Sequence, residues 1–424
     1  MLAVLPSVSA LLLGIGVLLL GNGLQGTLLG VRAGMEGFPT QVIGLVMSAY
    51  FAGFVAGSLY VPALVRRSGH IRTFAALASV ASAAPLLHAL YVAPFSWALL
   101  RVVTGFCFAG LFMVAESWLN DRATNETRGN ILSVYMIVNL SALAIGQQFL
   151  TLADPADYQL FALSSVLVSV ALVPVALTRS AAPVPIKPKR FGLKRLHAVS
   201  PLGVIGALGS GLIQGAFWGM SPVFGQAIGL STAGIASFIS LTVLGGIVLQ
   251  WPIGRLSDVF DRRTVITVVC FALAGASLAL GLSAAGDRRW MYPIAVLYGG
   301  LSFPLYSLCI AHANDFLAAD ERVPASSGLL LTYGVGAGLG PLAAGQVMEA
   351  LGAPALFYYT PAIAALLGLF ALYRMTRRSA PPAERQGSYV ALPAKATAAV
   401  LGLTPRAAPE PAAPAVGVPA PAAA

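Results

Sequence analysis

Uncharged apolar runs of about twenty residues alternate along the whole chain with short polar joints. A run of that length rises far enough as a helix, at 1.5 Å per residue, to cross a bilayer core of about 30 Å. Twelve such runs lie near 6–31, 41–65, 73–93, 97–118, 129–152, 158–178, 201–224, 233–253, 264–285, 291–312, 326–348 and 355–373. The pattern predicts twelve spanning helices, because an isolated segment in lipid must satisfy its own backbone hydrogen bonds.

The runs are also written twice. Gln25-Gly26-Thr27-Leu28-Leu29-Gly30 in the first run returns as Gln214-Gly215-Ala216-Phe217-Trp218-Gly219 in the seventh, and Gly129 with Gly146-Gln147 returns as Gly328 with Gly345-Gln346. The order of the pieces is kept, so the repeat is parallel and the expected architecture is all-α, with two pseudo-symmetric six-helix halves. The expected units are residues 1–178, a basic linker over 179–200, residues 201–374 and a disordered tail over 375–424.

Composition changes the picture only by excluding alternatives. The chain is 58% hydrophobic and 9% charged, where soluble domains carry about a quarter charged residues. The net charge of +10 suggests nucleic acid until its placement is read. Of 25 Lys and Arg, 21 fall on one side of the twelve runs, three (Arg32, Arg288, Arg289) on the other, and Arg101 lies within a run. By the positive-inside rule both termini are cytoplasmic, as an even number of spans requires. No basic residue precedes the first run, so it is read as a span and not a cleaved leader. Cys107, Cys270 and Cys309 lack metal-like spacing, and no metal or other cofactor is expected. The linker, with Pro183, Pro185, Pro188 and clustered Lys and Arg, reads as a topology signal near anionic headgroups. The Ala/Pro-rich tail carries too little apolar surface to fold by itself.

At the end of the eighth run stands Gly254-Arg255-Leu256-Ser257-Asp258-Val259-Phe260-Asp261-Arg262-Arg263. This resembles the cytoplasmic-loop signature of the major facilitator superfamily, matching at Gly254, Leu256, Asp258, Arg262 and Arg263. The first-half copy, Pro62 to His70 with Arg66 and Arg67, is degraded. The resemblance implies that Asp258 faces the start of the fifth helix, near Gly129, and holds the cytoplasmic side shut. A carboxylate gains there from free N–H groups and the helix dipole. Ala115-Glu116-Ser117-Trp118-Leu119-Asn120, Ala311-His312-Ala313-Asn314-Asp315 and Gly340-Pro341 are similar to the bacterial branch grouped as YcaD-like. The implied setting is the bacterial inner membrane, and the superfamily default is a monomer.

Arg101 is the one Lys or Arg within a run, and Arg101-Val102-Val103-Thr104-Gly105 resembles the fourth-helix Arg-x-x-x-Gly motif of the superfamily. A charge at mid-membrane costs at least ~2.5 kcal/mol unless it is paired or snorkels, so Arg101 is a candidate for the solute or proton pathway. Glu116, about 22 Å further along the same helix, is expected at the inner gate beside Arg66, Arg67 or Arg72. Asp315 is expected to meet Arg262 or Arg263. Polar residues on apolar runs complete the pathway candidates: Asn22, Gln25, Tyr50, Asn139, Gln147, Gln214, Trp218, Tyr306 and Gln346. For each Gln or Asn, interhelical hydrogen bonding is the competing role. His88 and His312 could titrate near neutrality, or serve as structural donors.

No Gly-Lys pair is present, so a phosphate-binding loop for a nucleotide-driven pump is excluded. An enzyme would need titratable groups converging at one depth, and here they are dispersed. The reading is a secondary transporter working by alternating access, proton-coupled, with a small neutral or anionic solute. The fifth run lacks the Gly-Pro of drug antiporters and no acidic residue occupies the outer or middle part of a run. Proton-coupled efflux of a hydrophobic drug is the alternative, and a non-transporting sensor or lipid-handling protein is a third reading. Expected partners are the solute, protons and membrane lipids, with no nucleic acid.

Overall fold

The computed structural model describes residues 5–177, 191–379, 386–393 and 397–404. Helices α1 (Leu5–Met35), α2 (Thr40–Ser68), α3 (His70–Leu90), α4 (Pro94–Asp121), α5 (Arg128–Gln148) and α6 (Gln159–Ala176) form the first half. A short α7 (Leu193–Val199) precedes the second half: α8 (Pro201–Ala227), α9 (Thr232–Val259), α10 (Arg262–Ala285), α11 (Met291–Asn314), α12 (Ala319–Leu351) and α13 (Leu356–Arg377). Eleven of these are long and apolar enough to cross a membrane, and α6, whose apolar stretch is Gln159–Val175, is a shorter twelfth in the expected place. The described residues contain no strand.

Joints of a few residues set the helices antiparallel. The joints after α2, α4, α9 and α11 therefore share one end of the bundle with Leu5 and Arg377, called here the termini end. Close helix crossings build the two halves alike. A Cβ at Gly53 or Gly105 would overlap the carbonyl oxygens of Val102 and Tyr50, so α2 and α4 touch backbone to backbone. Gly245 and Gly299 do the same against Val296 and Thr242, between α9 and α11. Lipid tails offer no hydrophobic drive between helices, so such small-residue contacts carry the packing.

At the end opposite the termini the halves meet directly. Gly44 packs on the Pro341 carbonyl and Gly30 on the Pro222 ring. The Thr40 backbone N–H donates to Glu349 Oε2 at 2.8 Å, and Gln148 donates to Ser240 Oγ at 2.8 Å. Pro341 sits inside α12 without ending it.

Two expectations change. The linker prolines Pro183, Pro185 and Pro188 lie outside the described residues, but the end of the linker is the helix α7, whose Arg195 pairs with Glu321 on α12. Composition alone predicts a tail without structure, yet residues 386–393 and 397–404 pack against the termini end, with Leu392, Val400, Leu401 and Leu403 buried. Composition describes the tail by itself, whereas the groove between the halves supplies the apolar surface these side chains need. Residues 405–424 lie outside the described residues.

Candidate functional site

The contact between α2 and α4 aims two side chains inward. Arg101 is 6% exposed, and its guanidinium carbon lies 4.3 Å from the centroid of the Tyr50 ring. A cation over an aromatic face gains roughly 2 kcal/mol or more when desolvated, which offsets part of the burial cost. The Tyr50 hydroxyl lies against Asn22 on α1. Among the described residues Arg101 has no carboxylate partner, and its Nε finds no acceptor.

These groups line a cavity of about 20 Å³ at the interface of the halves. Thr27 and Gln147 form one wall, Met47 and Phe51 another, and Trp218 of α8 closes it from the second half. Gln147 is already engaged, accepting from the Thr27 hydroxyl and donating to the Gly23 carbonyl. Trp218 is held by stacking on Phe303, with ring planes 7° apart. The donor left over is Arg101 Nε, set among aromatic and apolar walls. Such a donor is able to serve an acceptor group.

The sequence candidates divide accordingly. Asn22, Tyr50, Arg101, Gln147 and Trp218 are brought together. Gln25 is buried on α1 with both amide atoms unpartnered, but it is not a wall of this cavity. Gln214 is used up by the Ser302 carbonyl and the Tyr333 hydroxyl, and Tyr306 packs on the Tyr333 ring at 4.6 Å. Asn139 bonds Tyr135 instead of the cavity. Gln346 is exposed, a correction that follows from Gly345: this neighbour takes the inward position against Gly44 and Thr40, so Gln346 faces outward. Thr27, Met47 and Phe51 are walls that the sequence reading missed. Thr27 stands in the repeated Gln-Gly segment, where its replacement by Ala216 in the second copy was the available signal. The repeat also fails at the charge, for Arg101 and Tyr50 correspond to Ala295 and Thr242 across the glycine pairs.

The gate candidates gather at the termini end. Arg262 Nη1 donates to Asp315 at 2.5 Å with both side chains buried, and its Nη2 reaches Asp258 at 3.2 Å. Arg263 instead pairs with Asp261, which also accepts the Arg263 backbone N–H at the start of α10. Burial pushes the Asp261 carboxyl up, but the Arg263 bonds outweigh it and hold the group below its usual range. Asp258 does not meet α5: it accepts from the Tyr389 backbone N–H at 2.6 Å, while Arg128 at the start of α5 donates to the Gly402 carbonyl at 2.9 Å. Both groups are thus engaged by the tail segment. Glu116 is fully buried and touches no arginine among the described residues. It accepts from the Tyr135 hydroxyl at 2.7 Å and from the Thr397 N–H and hydroxyl at 2.9 and 2.5 Å. Arg66 and Arg67 are exposed on the last turn of α2. Gly254 packs against the Tyr389 ring.

The sequence model of the Major Facilitator Superfamily matches residues 11–326 and 240–415. The chain belongs to the major facilitator superfamily. It is 28% identical over 377 residues to the MFS-type transporter YcaD of Escherichia fergusonii, covering 88% of this chain and 97% of that one. The YcaD of Salmonella newport is 28% identical over 350 residues, 81% of this chain and 89% of its own length. Among solved structures, the bacterial homolog of the human lysosomal transporter Spinster, inward-facing and occupied, aligns with a TM-score of 0.71 at 15% identity, over 90% of this chain and 98% of that one. The nucleoside transporter NupG aligns with a TM-score of 0.69 at 14% identity, over 87% of this chain and 100% of that one. At such identities the two structures speak for the fold alone. This superfamily member is a multi-pass membrane transporter and not an enzyme.

Proposed function

We propose that the protein is a secondary transporter of a small organic anion, driven by protons, working by rocking its halves about the Arg101 site. The observation that carries this reading is Arg101 itself, a buried guanidinium without a carboxylate partner among the described residues, on the wall of a cavity between the halves. A lone cation within a span is costly unless function needs it, and an anionic solute supplies the missing charge. Tyr50, Phe51 and Trp218 suit an apolar body attached to that charge. A lipophilic cation would meet repulsion here, which sets drug efflux second. The positive-inside count puts the termini end in the cytoplasm, so the described state, joined at the opposite end, is inward-facing. Glu116 supports proton coupling: among the described residues it is a fully buried carboxylate within a span whose partners are all neutral.

Proteoliposomes enclosing a pH-sensitive dye test the reading. Anionic solutes presented as a graded panel should move protons in wild type, and Arg101→Ala and Glu116→Gln should each abolish the signal. Proton movement driven by lipophilic cations and unaffected by Arg101→Ala would reject it.

A further inference from the structure

Four groups assigned to the inner gate, Asp258, Arg262, Asp315 and Glu116, are engaged by the chain's own tail. Residues 386–393 run along the second half. The Gly387 N–H donates to Asp315 at 3.2 Å, its carbonyl accepts from Arg262 at 2.8 Å, and the Tyr389 N–H donates to Asp258 at 2.6 Å. The Leu392 N–H then reaches Ser307 Oγ on α11 at 3.1 Å. Residues 397–404, with a 3-10 turn at Ala398–Leu403, run between α4 and α5 of the first half and α12 of the second, where Thr397 holds Glu116 and the Gly402 carbonyl takes Arg128. Gly402 lies so near the Asn120 amide that a Cβ there would overlap it. The tail thus contacts both halves, and Val400, Leu401 and Leu403 are at most 4% exposed.

Most of these bonds are backbone bonds, so the cleft accepts an extended peptide much as a sheet edge accepts a strand, with apolar pockets fixing its register. The occupant is set by covalent attachment: α13 ends at Arg377, and only the eight residues 378–385 separate it from the docked stretch. A short tether gives a high effective concentration, and even modest contacts then fill the site.

We propose that residues 386–393 and 397–404 are a built-in plug of the inner vestibule, holding the halves apart at the termini end and arresting the transporter there until they withdraw. The proposal rests on the alternating-access reading above. Asp258 and Arg128 cannot meet across the cleft while Tyr389 and Gly402 hold them, so closure of this end requires the segment to leave. Anything that captures the tail elsewhere in the cytoplasm would release the transporter.

The test follows opening of the opposite end, which rocking couples to closure of this one, and needs no knowledge of the solute. A single reporter, Ser48→Cys, a near-isosteric change buried on α2 one turn inward from Gly44, is introduced into the full-length protein with Cys107, Cys270 and Cys309 replaced by Ala, and labelled with a membrane-impermeant maleimide. Gly34→Cys, beside Gln226, serves as a second reporter in case the first disturbs folding. Truncation after Arg378, and separately Leu401→Asp in the full chain, should raise the labelling rate at least tenfold. A synthetic peptide of residues 386–404 added to the truncated protein should return the rate to the full-length value. Equal labelling with and without the tail would overturn the plug while leaving transport standing. A reporter that is never labelled in any variant, although the denatured protein labels fully, would overturn alternating access and the plug together.

Discussion

Arg262 holds two carboxylates at unequal cost, and this asymmetry can be measured. Its pair with Asp315 is fully buried, each side chain 1% exposed, whereas Asp258 is 34% exposed. Breaking a buried ion pair by removing one partner strands the other charge and costs about 3–5 kcal/mol. An exposed pair contributes roughly 0–1 kcal/mol, because solvent screens it. Arg262→Met should therefore destabilise by about 3–5 kcal/mol, Asp315→Leu by a similar amount and Asp258→Ala by no more than about 1 kcal/mol. Because each single change strands a charge that the double change removes, Arg262→Met with Asp315→Leu should cost less than the sum by about 2–3 kcal/mol. Equilibrium unfolding in mixed micelles with rising dodecyl sulfate, read by tryptophan fluorescence, gives all four values. Additive single costs, or an Asp258→Ala penalty equal to that of Asp315→Leu, would refute the burial argument.

Further outcomes follow from the same geometry. Gly105→Ala places a methyl group on the Tyr50 carbonyl, so it should destabilise by about 1–3 kcal/mol as overpacking does and weaken solute binding by moving Tyr50 from Arg101; a thermal-shift titration checks both. Asp261 is held below its ordinary range by Arg263, so its stabilisation is complete above the unfolded value near 3.9 and fades as pH falls through the lower native value. Asp261→Asn should accordingly lower stability at pH 7 and converge on wild type as pH falls below the ordinary carboxylate range, in parallel thermal unfolding series. Thr397→Val removes the hydroxyl on Glu116 and should raise reporter labelling by several-fold, less than truncation does.

The bundle was legible because its signal is long: twelve apolar runs and a parallel repeat leave few other folds in lipid. Arg101 was legible for a related reason, since a lone charge stands out in an apolar run. Its partner Tyr50 was legible only as a polar residue, because the contact depends on Gly53 and Gly105 bringing two helices to backbone distance. Gln346 misled because a repeated residue need not keep its facing when its neighbour Gly345 takes the packed position. Asp258 and Glu116 lie at one end, but their partners could not be read, since Tyr389 and Thr397 lie 131 and 281 residues away in a segment whose composition reads as unfolded. A tail that folds only against a groove leaves no periodicity to read.

The central claim, that Arg101 receives the negative charge of the solute, is tested most directly by ligand-dependent thermal stabilisation of purified wild type beside Arg101→Ala, across matched anionic, neutral and cationic solutes. At a hundred times its dissociation constant a ligand stabilises by about 2.7 kcal/mol, well within reach of such a screen. Stabilisation of wild type alone by a set of anions is the predicted result. Equal stabilisation of both proteins by lipophilic cations, with anions silent, would contradict it.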